Sequence, residues 1–188
     1  MQAGGLATRV LTRASFTLEV RPLKAIQTLY RGYKFRSRLE ARWGVFFDQL
    51  KIQWQYEPEG FELSDGSRYL PDFLLPDDGR YPDIWVEVKA PIAIPKYELR
   101  KVDEFARQII SERSMVGVLV VKGDPLMANG FLYGSFGGFT TKGPLVEGAD
   151  RDGSFPNIFS CKAKMSVAQV REAAEYARAA RFEHGARP

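Results

Sequence analysis

The chain has 188 residues, 45% of them apolar, and sets 27 lysines and arginines against 23 acids for a formal charge of +4. That length suits one well-buried core and is short for two, and the slight basic excess favours a polyanionic partner without demanding one. The single cysteine, Cys161, excludes a disulfide framework or a cysteine-rich zinc site, and the single histidine, His184, leaves histidine-based metal chemistry poorly supplied.

No apolar run approaches the ~18 residues of a membrane helix, and Met1 to Leu11 lacks the core and cleavage pattern of a signal peptide. A cytoplasmic protein is expected. Residues 1–29 carry little periodicity apart from a short strand pattern at Ser15 to Val20, broken by Arg21-Pro22, and read as an N-terminal arm. Next, Arg31, Lys34, Arg36, Arg38 and Arg42 crowd together with Tyr30, Tyr33 and Phe35 between them, a pattern suited to holding phosphates and stacking on bases. The plainer reading of that stretch is a solvated helix start.

From Arg36 to Leu50 the apolar residues Leu39, Trp43, Phe46, Phe47 and Leu50 recur at helical spacing, which predicts a helix packed on a sheet with Glu40 at the border of its buried side. Strand patterns follow at Ile52 to Glu57, at Glu59 to Leu63 and at Tyr69 to Leu75, with a turn at Ser64 to Ser67. The loop Asp77-Asp78-Gly79 allows a hairpin back to Trp85–Lys89. There the residues alternate as Trp-Val-Glu-Val-Lys, so Val86 and Val88 face a core while Glu87 and Lys89 emerge together on the other face. Glu57 and Glu59 are expected at the surface or behind the site. Pro91 and Pro95 end this strand; Leu99, Val102, Phe105, Ile109 and Ile110 then mark a helix from Lys96 to Glu112, with Lys96, Arg100, Lys101 and Arg107 bordering a groove. Met115 to Val121 reads as a strand covered on both sides. Residues 123–161 are rich in glycine and aromatics and read as irregular or short-hairpin structure. A capping pattern at Ser166-Val167-Ala168-Gln169 opens a last helix through about Phe182.

Two carboxylates brought together by that hairpin, Asp72 and Glu87, repel each other, and a hard divalent cation such as Mg²⁺ relieves the repulsion most simply. Such an ion polarises a phosphoryl oxygen and acidifies a bound water. An ammonium alongside, Lys89, orients that water or offsets charge developing in the transition state. Glu40 is a candidate third acid.

Glu40 on a helix, Pro71-Asp72, and Glu87-Val88-Lys89 on a strand together resemble the motif of the PD-(D/E)XK, or restriction-endonuclease-like, nuclease superfamily. The stretch from Tyr30 to Pro91 resembles small phage and prophage endonucleases, and is also similar to the endonuclease subunit of certain transposases. The resemblance implies an α/β fold: a central mixed sheet flanked by helices, in the order α-β-β-β-α-β over residues 30–122. An irregular extension and terminal helix over 123–188 would pack on the same domain. It further implies Mg²⁺-dependent cutting of DNA, with Mn²⁺ able to substitute. Asp72, Glu87 and the Val88 carbonyl would hold metal, Lys89 would serve the attacking water, and Glu40 would bind or orient a second ion. Cutting both strands needs two active sites, which favours a homodimer or a larger nucleoprotein assembly. The same pattern also suits a non-catalytic nucleic-acid-binding module or a subunit of a phage or mobile-element assembly; the complete set of acids and lysine favours the enzyme.

Overall fold

The computed structural model describes residues 25–113, 115–136, 139–145, 159 and 162–182. The expected strand at Ser15 to Val20, most of the expected arm, Cys161 and His184 lie outside the described residues. The protein is α/β. A six-stranded mixed sheet runs in the order β10-β9-β8-β7-β6-β3. Its strands are β3 (Gln55–Tyr56), β6 (Phe73–Leu75), β7 (Asp83–Lys89), β8 (Val116–Lys122), β9 (Asn129–Phe136) and β10 (Phe139–Leu145). Every pairing is antiparallel except β7 with β8, which α2 (Lys96–Glu112) joins by a crossover. From α1 (Arg38–Gln49) the main sheet is therefore built as helix, three strands, helix, strand. Two small hairpins stand apart: β1 (Thr28–Tyr30) with β2 (Tyr33–Phe35), and β4 (Phe61–Glu62) with β5 (Arg68–Tyr69). The boundary expected between residues 29 and 30 falls inside β1.

Ser37 caps α1, accepting the Glu40 backbone N–H at 3.2 Å, and the helix then buries Ala41, Trp43, Val45, Phe46 and Phe47 against Phe73, Leu75, Val86 and Val88. The helix α3 (Val167–Ala179), opened by the Ser166/Gln169 capping box, adds Val170, Ala173, Ala174 and Ala177 to the same core. On the opposite face α2 packs Val102, Phe105, Ala106 and Ile109 on Trp85, Val118 and Val120. Ile110, expected in that stripe, is exposed, and Ala106 stands in the contact instead. The sheet is thus oily on both faces. Trp85 shares its face with Glu87, so the chemical character expected of that face is confined to the strand's end.

Three further expectations change. Residues 30–35 are a hairpin and not a helix start, because Arg31 and Gly32 both take positive φ (47° and 83°) and form a two-residue turn between aromatic strands. The strand pattern at Tyr69 to Leu75 divides into β5 and β6, with Pro71-Asp72 at a bend between them. In the glycine-rich segment, where irregular chain or a short hairpin was expected, residues 129–136 and 139–145 pair as two full strands extending the sheet, with Leu132 buried in the first core and Tyr133 packed against the second. Gly130 makes that extension possible: a Cβ there would stand 2.0 Å from the Val120 carbonyl oxygen across the β8–β9 seam. Among the described residues no helix is long and apolar enough to cross a membrane.

Candidate active site

The β6–β7 register pairs Leu75 with Ile84 and Phe73 with Val86, and one further step sets Asp72 opposite Glu87. At the bend before β6 the Asp72 side chain turns onto β7, where Oδ2 accepts the Val88 N–H at 2.7 Å. Its Oδ1 accepts the Arg36 guanidinium. Glu87 lies one residue before Val88, buried, with Oε1 2.8 Å from Lys89 Nζ. Glu87 Oε2 is also buried and has no hydrogen-bond partner among the described residues. Lys89 Nζ is shared with Glu98 of the first turn of α2, again at 2.8 Å. Sequence and structure thus agree in bringing Asp72, Glu87, Val88 and Lys89 to one place.

Glu40 also reaches this end of the sheet, and its oxygens are engaged: Oε2 accepts the Tyr56 hydroxyl at 2.6 Å and the Arg36 N–H at 3.1 Å, while Oε1 accepts the Ser37 hydroxyl at 2.7 Å. Glu57, expected behind the site, lies 2.6 Å from Arg36 Nε. Arg36 was expected at a phosphate backbone; its guanidinium instead lies between Asp72 and Glu57. Burial works against its charge, and Asp72, Tyr56, Glu57 and Glu40 outweigh burial to raise its pKa. Among the described residues five carboxylates, Glu40, Glu57, Asp72, Glu87 and Glu98, therefore share two cations here, Arg36 and Lys89.

The surplus negative charge shows in the titration of the group most deeply placed. Burial, then the charges of Glu87 and Glu40, push Asp72 well above the usual carboxylate range, against the pull of the Val88 N–H and Arg36. Lys89 moves the other way in effect: burial opposes its charge, but Glu87 and Glu98 outweigh burial and raise its pKa, so it stays an ammonium at neutral pH. Lys89 also holds the Glu98 carboxyl below its ordinary value. The buried Tyr69 phenol lies beside Glu87, and it is pushed up by burial, then by the charge of Glu87 and hydrogen bonding to it, although no bond of good geometry forms between them. Glu98, Arg36 and Tyr69 were not expected in the site. Only Arg36 gave any sign in the sequence, as part of a charge run.

The other basic residues of residues 31–42 lie on three elements. Arg31 sits in the β1–β2 turn and pairs with Asp48, Lys34 is exposed on β2, and Arg38 and Arg42 are half-buried on α1. Arg100 and Arg107 line a cavity of about 980 Å³ between α2 and Glu62 to Ser64, together with Asp103 and Glu104. That cavity sets three acids, Glu62, Asp103 and Glu104, against the two arginines, and Lys89 is not part of its lining. Compared with known proteins, the chain matches no family model and no curated sequence.

Proposed function

We propose that this protein is a Mg²⁺-dependent DNA endonuclease that hydrolyses phosphodiesters at Asp72, Glu87 and Lys89. The observation that carries the reading is the shortage of positive charge at the end of β7, with one Glu87 oxygen buried and unpartnered. The residues present fit Mg²⁺, which binds through one or two carboxylates and keeps several waters. Among the described residues no three His, Cys, Asp or Glu side chains are grouped so as to hold a metal ion, and the proposal therefore rests on two carboxylates and a carbonyl. Asp72, Glu87 and the Val88 carbonyl would hold the ion, with Mn²⁺ able to replace it. When bound, it supplies Lewis acidity toward a phosphoryl oxygen and a more acidic water.

The chain's own groups do the rest. Lys89, held by Glu87 and Glu98, is a fixed donor for charge that develops on the phosphate and a poor base, because its proton is stabilised. Glu40 orients through Tyr56 and Arg36 and contributes its negative charge at Asp72. The restriction-endonuclease-like architecture belongs to the same proposal, supported by the helix, three-strand, helix, strand order around the site. So does the DNA partner, supported by the exposed cations Arg31 and Lys34.

The test is supercoiled plasmid incubated with Mg²⁺, with Mn²⁺ or with chelator, beside Lys89→Ala. Metal-dependent nicking by the wild type, lost by about 10²–10⁴-fold in the variant, is expected. Equal nicking by both overturns the assignment. A second reading has its own support: Arg36 and Lys89 already neutralise part of the acidic cluster, as a non-catalytic nucleic-acid-binding module would arrange. Equal metal-free DNA binding by both proteins, with no nicking, selects it.

A further inference from the structure

A cavity of about 570 Å³ lies at the free edge of the sheet, lined by Arg31, Tyr33, Lys51, Trp54 and Gln55 among others, with Pro76 closing one side. Among the described residues no acidic side chain lines it, Asp48 standing behind Arg31 and Trp54. We infer that this groove holds an unpaired DNA strand beside the cut, so that the substrate class is DNA with single-stranded character, such as a flap, an overhang or a branch. The inference rests on the nuclease reading for the word "cut", and on the groove alone for the strand.

Tyr33 is 41% exposed, and its ring lies 5.1 Å from that of Trp54. Trp54 is fixed in orientation, because its indole N–H donates to Asp48 at 3.0 Å, and Asp48 also receives the Tyr30 hydroxyl and Arg31. Two aromatic faces held in a basic recess suit bases whose own faces are free, which a paired and stacked duplex does not offer. The volume lies within the roughly 300–1,000 Å³ of pockets that enclose one small ligand, a scale matched to a nucleotide or two and not to a duplex.

The backbone adds an independent sign. Lys51 occupies the residue after the α1 C-cap at φ 56°, with its N–H on the Asp48 carbonyl and the Ile52 N–H on the Phe47 carbonyl. Glycine is the usual occupant of that left-handed position, yet here a long cation stands there, at the groove and with no ion pair among the described residues. Side-chain contacts connect the groove wall to Glu40. The Tyr33 ring meets the edge of Tyr56 at 6.3 Å, and the Tyr56 hydroxyl donates to Glu40.

The test is binding without metal. Trp43 and Trp85 are fully buried, so quenching of tryptophan emission reports on Trp54. In chelator, oligothymidine is expected to quench the wild type, and blunt duplex of equal length is not. The double variant Tyr33→Ala, Lys51→Gly should bind oligothymidine at least about 10-fold more weakly. Lys51→Gly alone should melt no lower than wild type, since glycine relaxes the left-handed backbone, which separates lost binding from lost fold. Unchanged affinity in the folded double variant, or duplex quenching as strong as single strand, overturns the groove. Plasmid nicking in Mg²⁺ is scored separately. Nicking with no single-strand preference sinks the groove and leaves the nuclease, while the expected quenching with no nicking does the reverse.

Discussion

The start of α1 and the end of β7 each bury a glutamate, and the two are provided for differently. Glu40 receives the Tyr56 hydroxyl, the Ser37 hydroxyl and a backbone N–H, so both its oxygens are satisfied. Glu87 receives Lys89 on one oxygen and nothing on the other, and it stands beside an Asp72 whose carboxyl is pushed upward by crowding. Buried polar groups in folded proteins are nearly always paired, and leaving one unpaired costs about 1–3 kcal/mol. On the nuclease reading Glu40, supplied with all its donors, serves mainly as an anchor, whereas Glu87 keeps an oxygen for the ion.

Glu87→Gln tests this contrast with the largest effect. Nicking in saturating Mg²⁺ should fall by about 10³-fold, while the melting temperature stays level or rises. A variant that unfolds would make Glu87 an anchor as well. Glu40→Ala is expected to behave conversely, losing about 2 kcal/mol as a helix-start and Tyr56 anchor is removed. The readout is the denaturant midpoint at unchanged slope, with nicking by the folded fraction within about tenfold of wild type. Loss of nicking at a wild-type midpoint would instead place Glu40 with Glu87 and restore the expected role on a second ion.

Asp72 gives a smaller effect with a definite sign. A carboxyl of raised pKa binds more protons folded than unfolded, so stability falls as pH climbs from the ordinary carboxylate range through the raised value. Asp72→Asn removes that charge and should melt above wild type at neutral pH, by roughly 2–4 °C if the relief is ~1 kcal/mol. The gap should close as pH drops below about 4, where the wild-type carboxyl is protonated in both states. Asp72→Asn melting below wild type at neutral pH, with that deficit closing in acid, would show that the Arg36 pair, and not the crowding, dominates. Tyr69→Phe is expected to do least, within about 1 kcal/mol of wild type by calorimetry, because deleting a poorly bonded buried hydroxyl is offset by losing its interaction with Glu87.

Much of the frame could be read from local patterns. The helix from Lys96 to Glu112 has the expected bounds, because proline stands at one end and an apolar stripe runs its length. The pairing of Tyr69–Leu75 with Trp85–Lys89 followed from the turn residues between them, although only Phe73–Leu75 holds the ladder. Asp72 leaves the strand because its carboxylate takes a backbone N–H sixteen positions away, a tertiary bond with no local trace. Arg36 was misread for a related reason. A run of cations looks like a phosphate surface, and the two acids that claim this one, Glu57 and Asp72, come from distant segments. The Arg31-Gly32 turn was visible as glycine between alternating aromatics, but the charges drew the reading away from it. For β9–β10 composition left irregular chain and a short hairpin both open, since glycines that suggest irregular chain also permit close strand contact.

That contact at Gly130 has a consequence for how far the sequence can drift. With the Val120 carbonyl at 2.0 Å from any added Cβ, even alanine must pry β9 from β8, and β10 goes with it. A saturation library at this codon should return glycine alone among well-expressed clones. The sheet's outer third thus hangs on the absence of a single methyl group.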